Sequence, residues 1–462
     1  MNQLIISCIP SYLRVAYVEN GELLDFFIEK ESELETVGNI YKGKIVNVLD
    51  GMHCAFVDIG LEKDGFLSLD KNIIKNGESI MCQVTKESYG TKGVRLTTEI
   101  SIPGKYIVLI PNSDYVGISR KIKDIKRREY LEKFAKDKLG NGFGIIFRSA
   151  SINVKDEYLV KEIEDIKAIW KEIERNYNYS AEKKLIYKDN SLIKRVIRNT
   201  ESFNIDQYIV DNKEYVDLLI NEGIEKNKIL YHNKDTIIFK EYKINKQIDN
   251  LLEKRVDVDN GGYIIIEPTE ALTVIDVNTG KFVGDTNPEQ MIYEMNESAA
   301  KTVAKEIRKR NVGGIIVVDF IDMIDDNQKN DLLAILNEEL KKDIVKTTPA
   351  QITSLGLVEF TRERIRKGIR DYMIMNDYNI VKIRDKIIDS AQRNSGYPII
   401  MIEANNFIIE SLNTTKYIDK VAILQNKQIY TCINNDIKDT DVLISFYLSL
   451  DQLKEGAILY QK

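Results

Sequence analysis

Two stretches decide the fold: ALTVIDVNTG at 271–280 and GGIIVVDFID at 313–322. Each is a run of aliphatic and β-branched residues that reaches an aspartate, Asp276 in the first and Asp319 in the second. Short apolar runs bounded by turn residues read as strands, and their continuous Val/Ile/Leu character predicts burial on both faces. Residues 288–310 between them read as a helix, so the unit is a strand–helix–strand crossover, which places its two strands parallel. Parallel strands bring their carboxyl ends to one sheet edge, where open α/β sheets hold ligands. Asp276 and Asp319, 319 − 276 = 43 positions apart, are therefore expected to face one another in space.

Two carboxylates about 4 Å apart repel by roughly 4 kcal/mol at an effective dielectric near 20. A shared proton or a cation has to relieve that repulsion. Mg²⁺, with Mn²⁺ as a substitute, suits two carboxylates plus waters and a phosphate oxygen. Asn278 follows Asp276 by two positions, hence on the same strand face, and is placed to hold an aspartate oxygen or touch the phosphate. Asp322, in VVDFID, is a further outer acid. The competing reading has both aspartates merely capping the helices or turns that follow them. Gly280-Lys281 lacks the spacing of a phosphate-binding loop, and Gly140, Gly142 and Gly144 precede no helical pattern, so both groups read as turns.

Working outward, 462 residues exceed one hydrophobic core and predict two to four domains. At 43% hydrophobic and 30% charged, the composition argues against wholesale disorder. No stretch approaches the ~18 apolar residues of a membrane helix, and the start carries neither a basic segment nor a cleavage site, so a cytoplasmic location is expected. Only His53 and His232 are present, which argues against paired-imidazole catalysis. Cys8, Cys54, Cys82 and Cys432 form no CxxC, which argues against zinc and leaves four buried thiols in a reducing compartment. The net charge of −6 hides two basic runs, 120–138 with nine basic and four acidic residues and 361–370 with five and one. Each reads as a solvated helix face or as a contact for a polyanion.

The first 36 residues read as a β-meander turning at Glu19-Asn20-Gly21. Five short strand-like runs with glycine turns over 37–98 suit a small closed barrel of the oligonucleotide-binding type. Residues 99–193 are mixed and include the amphipathic run 155–177. Residues 194–251 alternate, with IVDN, KILYH and TIIFK strand-like. Within 252–372, GYIIIE is another strand and Asp326–Lys346 a second helix. The tail, 373–462, reads helix, strand PIIMIEA, helix, then strands KVAIL, IYTCI and DVLISFY.

EPTEALTVIDVNTG, GGIIVVDFIDM and ITSLGLVEFTRERIR, taken in order, resemble the catalytic region of the ribonuclease E/G family of bacterial endoribonucleases. NIYKGKI, AFVDIG, DGFLSL and KGVRLTT resemble that family's oligonucleotide-binding barrel. IVLIPN, VGISRKI and GFGIIFRSA resemble its 5′-phosphate sensor. The resemblance implies an α+β multidomain fold. A ribonuclease-H-like scaffold (1–36 and 194–251) is interrupted by the barrel (37–98) and the sensor (99–193). A deoxyribonuclease-I-like catalytic subdomain (252–372) and a small C-terminal α/β domain (373–462) follow.

Residue by residue, the resemblance makes Asp276 and Asp319 the Mg²⁺ ligands and Asn278 the asparagine that orients one of them. Phe56, Phe66 and Lys92 match RNA-contacting positions of the barrel, although two phenylalanines there equally suit barrel core. Arg148 matches the arginine that clamps a 5′-monophosphate, Ser149 its neighbour where the family pattern has threonine, and Val108 a backbone contributor. Lys346 stands where the family can carry an arginine. After RERIRKGIR the family's zinc-linking CPxC should follow, and the chain reads DYMIMNDYN instead, so no cysteine–zinc link joins a homo-oligomer. The implied activity is Mg²⁺-dependent hydrolysis of single-stranded RNA, in precursor ribosomal RNA and mRNA, to 5′-phosphate and 3′-hydroxyl ends. The alternative is a non-catalytic, ribosome-associated RNA-binding factor on the same scaffold.

Overall fold

The computed structural model describes the chain except residues 10–11, 31–35, 70–73, 89–91, 190–191, 201–203, 233–235, 260, 281–287, 365–367, 374–375, 416–417, 419–421, 439 and 461–462. Two compact units emerge, one of residues 1–34 with 205–462 and the other of 35–204.

The chain begins with three antiparallel strands, β1 (Asn2–Ile9), β2 (Tyr12–Glu19) and β3 (Glu22–Lys30). The turn between β2 and β3 uses Asn20 and Gly21 at φ of 50° and 87°. Both values lie in the left-handed region that a two-residue hairpin demands.

The second unit opens with β4 (Ile40–Leu49), β5 (Cys54–Asp58), β6 (Gly65–Ser68), β7 (Ser79–Lys86) and β8 (Arg95–Thr97). They hydrogen-bond in the order β4-β5-β6-β8-β7, and β7 returns to β4, closing a five-stranded barrel. Its interior is packed by Ile45, Ala55, Val57, Leu67, Cys82, Val84 and Leu96. There follow β9 (Ile102–Pro103), β10 (Ile107–Pro111), β11 (Val116–Ile118), α1 (Ile125–Lys138), β12 (Phe143–Phe147), α2 (Asp156–Tyr179), β13 (Lys184–Tyr187) and α3 (Leu192–Thr200). The strands form a sheet ordered β11-β12-β10-β9, while β13 adds to the barrel at β4. Buried Leu159, Ile163, Ile166, Trp170 and Ile173 recur every three or four residues along α2, the stripe a helix lays on a core.

The first unit resumes with β14 (Gln207–Val210), α4 (Lys213–Asn221), β15 (Ile229–Tyr231), α5 (Ile238–Glu241) and α6 (Asn245–Asp249). β14 runs parallel to β1 and β15 parallel to β14, giving a sheet ordered β15-β14-β1-β2-β3. TIIFK, expected as a strand, lies in α5 and its approach, where Ile237, Ile238 and Phe239 all enter the core.

Next come β16 (Arg255–Asp257), β17 (Tyr263–Pro268), β18 (Leu272–Asn278), α7 (Pro288–Lys309), β19 (Gly314–Asp319), α8 (Asp326–Leu340), β20 (Gln351–Ile352) and β21 (Val358–Arg362). The sheet order is β16-β17-β18-β19-β21-β20, with β18 and β19 parallel as the crossover requires. The expectation of burial on both faces fails. Ile264, Ile275, Val277, Ile316 and Val318 pack beneath α7 and α8, whereas Val274 is 37% and Ile315 48% exposed on the opposite face. Among the described residues that opposite face is the exposed side of the sheet. α8 ends at Leu340, six residues short of the expected Lys346.

The tail holds α9 (Ile369–Met373), α10 (Asn376–Arg393), β22 (Ile399–Ala404), α11 (Asn406–Thr415), α12 (Ala422–Gln425), β23 (Gln428–Ile433), β24 (Leu443–Tyr447) and β25 (Ile458–Leu459). The sheet runs β24-β22-β23-β25. KVAIL, read as a strand, lies partly outside the described residues, and its remainder falls in α12, with Leu424 in the core. Among the described residues no helix is long and apolar enough to cross a membrane. The thiols also differ from expectation: Cys54 and Cys82 are buried, but Cys8 and Cys432 only half so.

Candidate active site and nucleic-acid interface

Asp276, two residues before the end of β18, and Asp319, the last residue of β19, are direct register partners. Neighbouring strands lie about 4.8 Å apart and partners point to one face, so the two carboxylates stand side by side. Both are exposed, on the open face of the sheet. The Asn278 amide donates from Nδ2 to Asp276 Oδ2 at 2.7 Å, which fixes one of the two side chains. Asp319 is not the cap of the helix that follows it: the amide-accepting cap of α8 is Asp325. Among the described residues there is no cluster of three or more His, Cys, Asp or Glu arranged to hold a metal ion. Two hard oxygen donors at a solvent-facing edge fit a Mg²⁺-type ion that keeps several waters, and do not fit a closed zinc cage.

Pairing extends the row on the same face. Asp276 is opposite Ile265 of β17, Ile265 is opposite Arg255 of β16, and Tyr263 is opposite Asn278. Arg255 stacks its guanidinium on the Tyr263 ring at 3.9 Å from the centroid. The sequence reading missed both residues, because only strand register places them beside the carboxylates. Asp322 lies exposed in the segment after β19. Gly280 is at φ 59°, as a turn requires, while Lys281 lies outside the described residues.

In the barrel, Phe56 and Phe66 are cross-strand partners on β5 and β6, their rings 6.1 Å apart and edge to face. Ala55, Val57 and Leu67 point inward, so alternation turns both phenylalanines outward, half-buried, and the core reading of them fails. Asn47 pairs with Phe56 and Arg95 with Phe66, both exposed, extending the row with a basic residue that sequence reasoning did not single out. Lys92 is exposed just before β8.

Arg148 follows β12 and is half-buried. Its guanidinium donates to the Gly104 carbonyl at 2.8 Å and to the Arg198 carbonyl at 3.2 Å. Ser149 is half-buried at the start of a short 3₁₀ turn, and Val108 sits on β10 between Pro103 and Ile146.

A family model described as the ribonuclease E/G family matches residues 101–365, more than half of the chain. The chain is 38% identical to ribonuclease G of Haemophilus influenzae over 400 residues, 79% of this chain and 80% of the relative. It is 34% identical to ribonuclease G of Escherichia coli over 402 residues, 81% and 82% of the two lengths. The chain belongs to the ribonuclease E/G family. A ribonuclease E from a Nostoc species is 34% identical over 364 residues, 74% of this chain and 53% of that protein.

Within this ribonuclease E/G chain part of each basic run is structural, while the basic residues of 120–138 other than Arg127 and Arg128 are exposed. Arg127 donates to the Ser151 and Val154 carbonyls, and Arg128 to those of Ser119 and Ile122. Arg362 is 2% exposed, paired with Asp343 and bonded to Asn311, so it brings no charge to the surface. Lys346 is exposed. DYMIMNDYN spans the end of α9 and the start of α10, with residues 374–375 outside the described set.

Proposed function

We propose that this chain is a Mg²⁺-dependent endoribonuclease that hydrolyses single-stranded RNA. The register of Asp276 against Asp319 carries the reading. The two carboxylates would hold the ion, with Mn²⁺ as its substitute, and Asn278 keeps Asp276 turned toward it. A bound Mg²⁺ supplies positive charge to the scissile phosphate and lowers the pKa of the attacking water. In-line attack of water on phosphorus breaks the P–O3′ bond and leaves a 5′-phosphate and a 3′-hydroxyl. The sheet's open face admits a chain of nucleotides, and the Arg255–Tyr263 stack offers it a planar surface. Phe56 and Phe66 supply base stacking, and Lys92 and Arg95 supply charge, for unpaired RNA on the barrel. Arg148, with Ser149 and the Val108 backbone, would clamp a 5′-monophosphate, for which a forked guanidinium is suited.

We read the sheet β15-β14-β1-β2-β3 as the ribonuclease-H-like scaffold (1–36 and 194–251), with the barrel at 37–98 and the sensor at 99–193. Residues 252–372 are the deoxyribonuclease-I-like subdomain, and 373–462 the small C-terminal domain. The enzyme would act in the cytoplasm on ribosomal RNA precursors and mRNA, and any homo-oligomer would form without a cysteine–zinc link. Incubation with a 5′-monophosphorylated, AU-rich oligonucleotide in Mg²⁺ should give 5′-phosphorylated products, and EDTA should stop it. Binding without cleavage in Mg²⁺ or Mn²⁺ would instead identify a non-catalytic RNA-binding factor.

A further inference from the structure

Segment 103–107 lies directly before Val108 and beneath Arg148, and its polar backbone is clamped from three directions. The Glu162 carboxylate, on the second turn of α2, accepts the Lys105 amide on Oε1 and the Tyr106 and Ile107 amides on Oε2 at 2.9 and 3.0 Å. Arg148 holds the Gly104 carbonyl through its guanidinium and the Tyr106 carbonyl through its own amide at 2.8 Å. Arg198 donates to the Pro103 carbonyl at 3.1 Å. A Cβ on Gly104 would meet Glu162 Oε1 at 2.7 Å and Ile166 Cδ1 at 2.8 Å, so a side chain there would push the Glu162 carboxylate from its place.

We propose that Glu162 is a positioning residue of the 5′-end sensor: it fixes the segment whose carbonyl aims the Arg148 guanidinium, and so sets the preference for 5′-monophosphorylated RNA. This rests on the sensor reading of Arg148. The chain of cause is short. Three amide bonds hold Lys105, Tyr106 and Ile107; that fixes the Gly104 carbonyl; and the carbonyl fixes the plane of the fork. A planar donor fork loses its match to phosphate when it tilts, and a misplacement of about 1 Å in a positioned group can cost around 100-fold. Burial raises the Glu162 carboxyl's pKa, while the three amides and the Arg148 charge work against that rise. A charge held there at a cost points to the bonds it makes rather than to solubility.

The test measures the ratio of kcat/KM for 5′-monophosphorylated over 5′-hydroxyl RNA in full-length wild type, Glu162→Gln, Glu162→Ala and Arg148→Ala, alongside melting temperature. Gln keeps an acceptor for Tyr106 and Ile107 but sets an amide N–H against the Lys105 N–H. The ratio should therefore fall in the order wild type, Gln, Ala, the last by at least about tenfold. Should the alanine variant not fold, the glutamine variant alone decides by the same ratio. Glu162 variants that keep the wild-type ratio beside an Arg148→Ala enzyme that has lost it overturn the inference alone. An Arg148→Ala enzyme that keeps the ratio overturns the sensor reading and this inference with it.

Discussion

Asp276 and Asp319 are direct register partners on adjacent parallel strands, and both face solvent. That single relationship brings two aspartates from distant stretches of the chain together on one acidic edge. In the absence of a cation their charges oppose each other and give nothing back to the fold.

Replacing either aspartate by asparagine should lower cleavage by about 1000-fold, the equivalent of some 4 kcal/mol of charge stabilisation. Melting temperature in EDTA should hold or rise, because an exposed repulsion is relieved. Mg²⁺ should raise the melting temperature of the wild type and leave the variants unmoved, since only a ligand bound by the native state stabilises it. Equal Mg²⁺ shifts in all three proteins would place the ion elsewhere. Asn278→Ala, which frees Asp276, should cost about 10- to 100-fold in metal affinity.

On the barrel, Phe56→Ala or Phe66→Ala should weaken single-stranded RNA binding by about 1–3 kcal/mol per lost base stack. The stability loss should stay near 1 kcal/mol, because both rings are half-exposed and lose mainly their edge-to-face contact. Fluorescence anisotropy and thermal melting, run side by side, separate the two effects. A collapse in stability with unchanged RNA affinity would return the rings to a structural role.

Asp25 and Arg308 form a buried pair between β3 and α7, their side chains 2% and 13% exposed. Arg308 donates from Nε to Asp25 at 2.8 Å, with a second bond from Nη2. Burial works against the Arg308 charge, and Asp25, together with Asp343 and Tyr17, more than restores it. Asp25→Ala removes that cation's hydrogen-bonded carboxylate and should destabilise the first unit by about 3–5 kcal/mol in urea titration. The Asp25→Ala, Arg308→Met double variant should recover most of the loss.

Cys82 sits in the barrel core, where burial pushes its thiol up to about 12. Because folding raises this pKa, its contribution to stability is whole below pH 9, the unfolded value, and is lost as pH climbs through 12. At pH 8 the thiolate fraction is about 10⁻⁴, so iodoacetamide should leave Cys82 unlabelled in the native protein and modify it after unfolding. Rapid native labelling at pH 8 would show that the barrel opens.

Features written in neighbouring residues were legible beforehand. Asn20-Gly21 marks a hairpin because the left-handed backbone favours those side chains, and the five barrel strands announce themselves by alternation and glycine turns. The crossover from Asp276 to Asp319 was equally plain, since handedness and strand length leave few ways to connect two apolar strands through a helix. Short apolar runs were misread. TIIFK and KVAIL are too brief to display a period, so nothing local separates a buried strand from one buried helical turn.

Residue order alone was therefore enough to name the carboxylates and the barrel. Packing in three dimensions decided the rest. The exposed face of the sheet that carries Asp276 and Asp319 depends on α7 and α8 covering the other side, and the outward turn of Phe56 and Phe66 depends on which alternate set fills the barrel. The burial of Arg362 against Asp343 and the grip of Glu162 on the segment before Val108 depend on elements far apart in the chain. Periodicity reports which residues share a face; it carries no information on what, if anything, covers that face, because burial is a property of the neighbours a chain acquires only when folded.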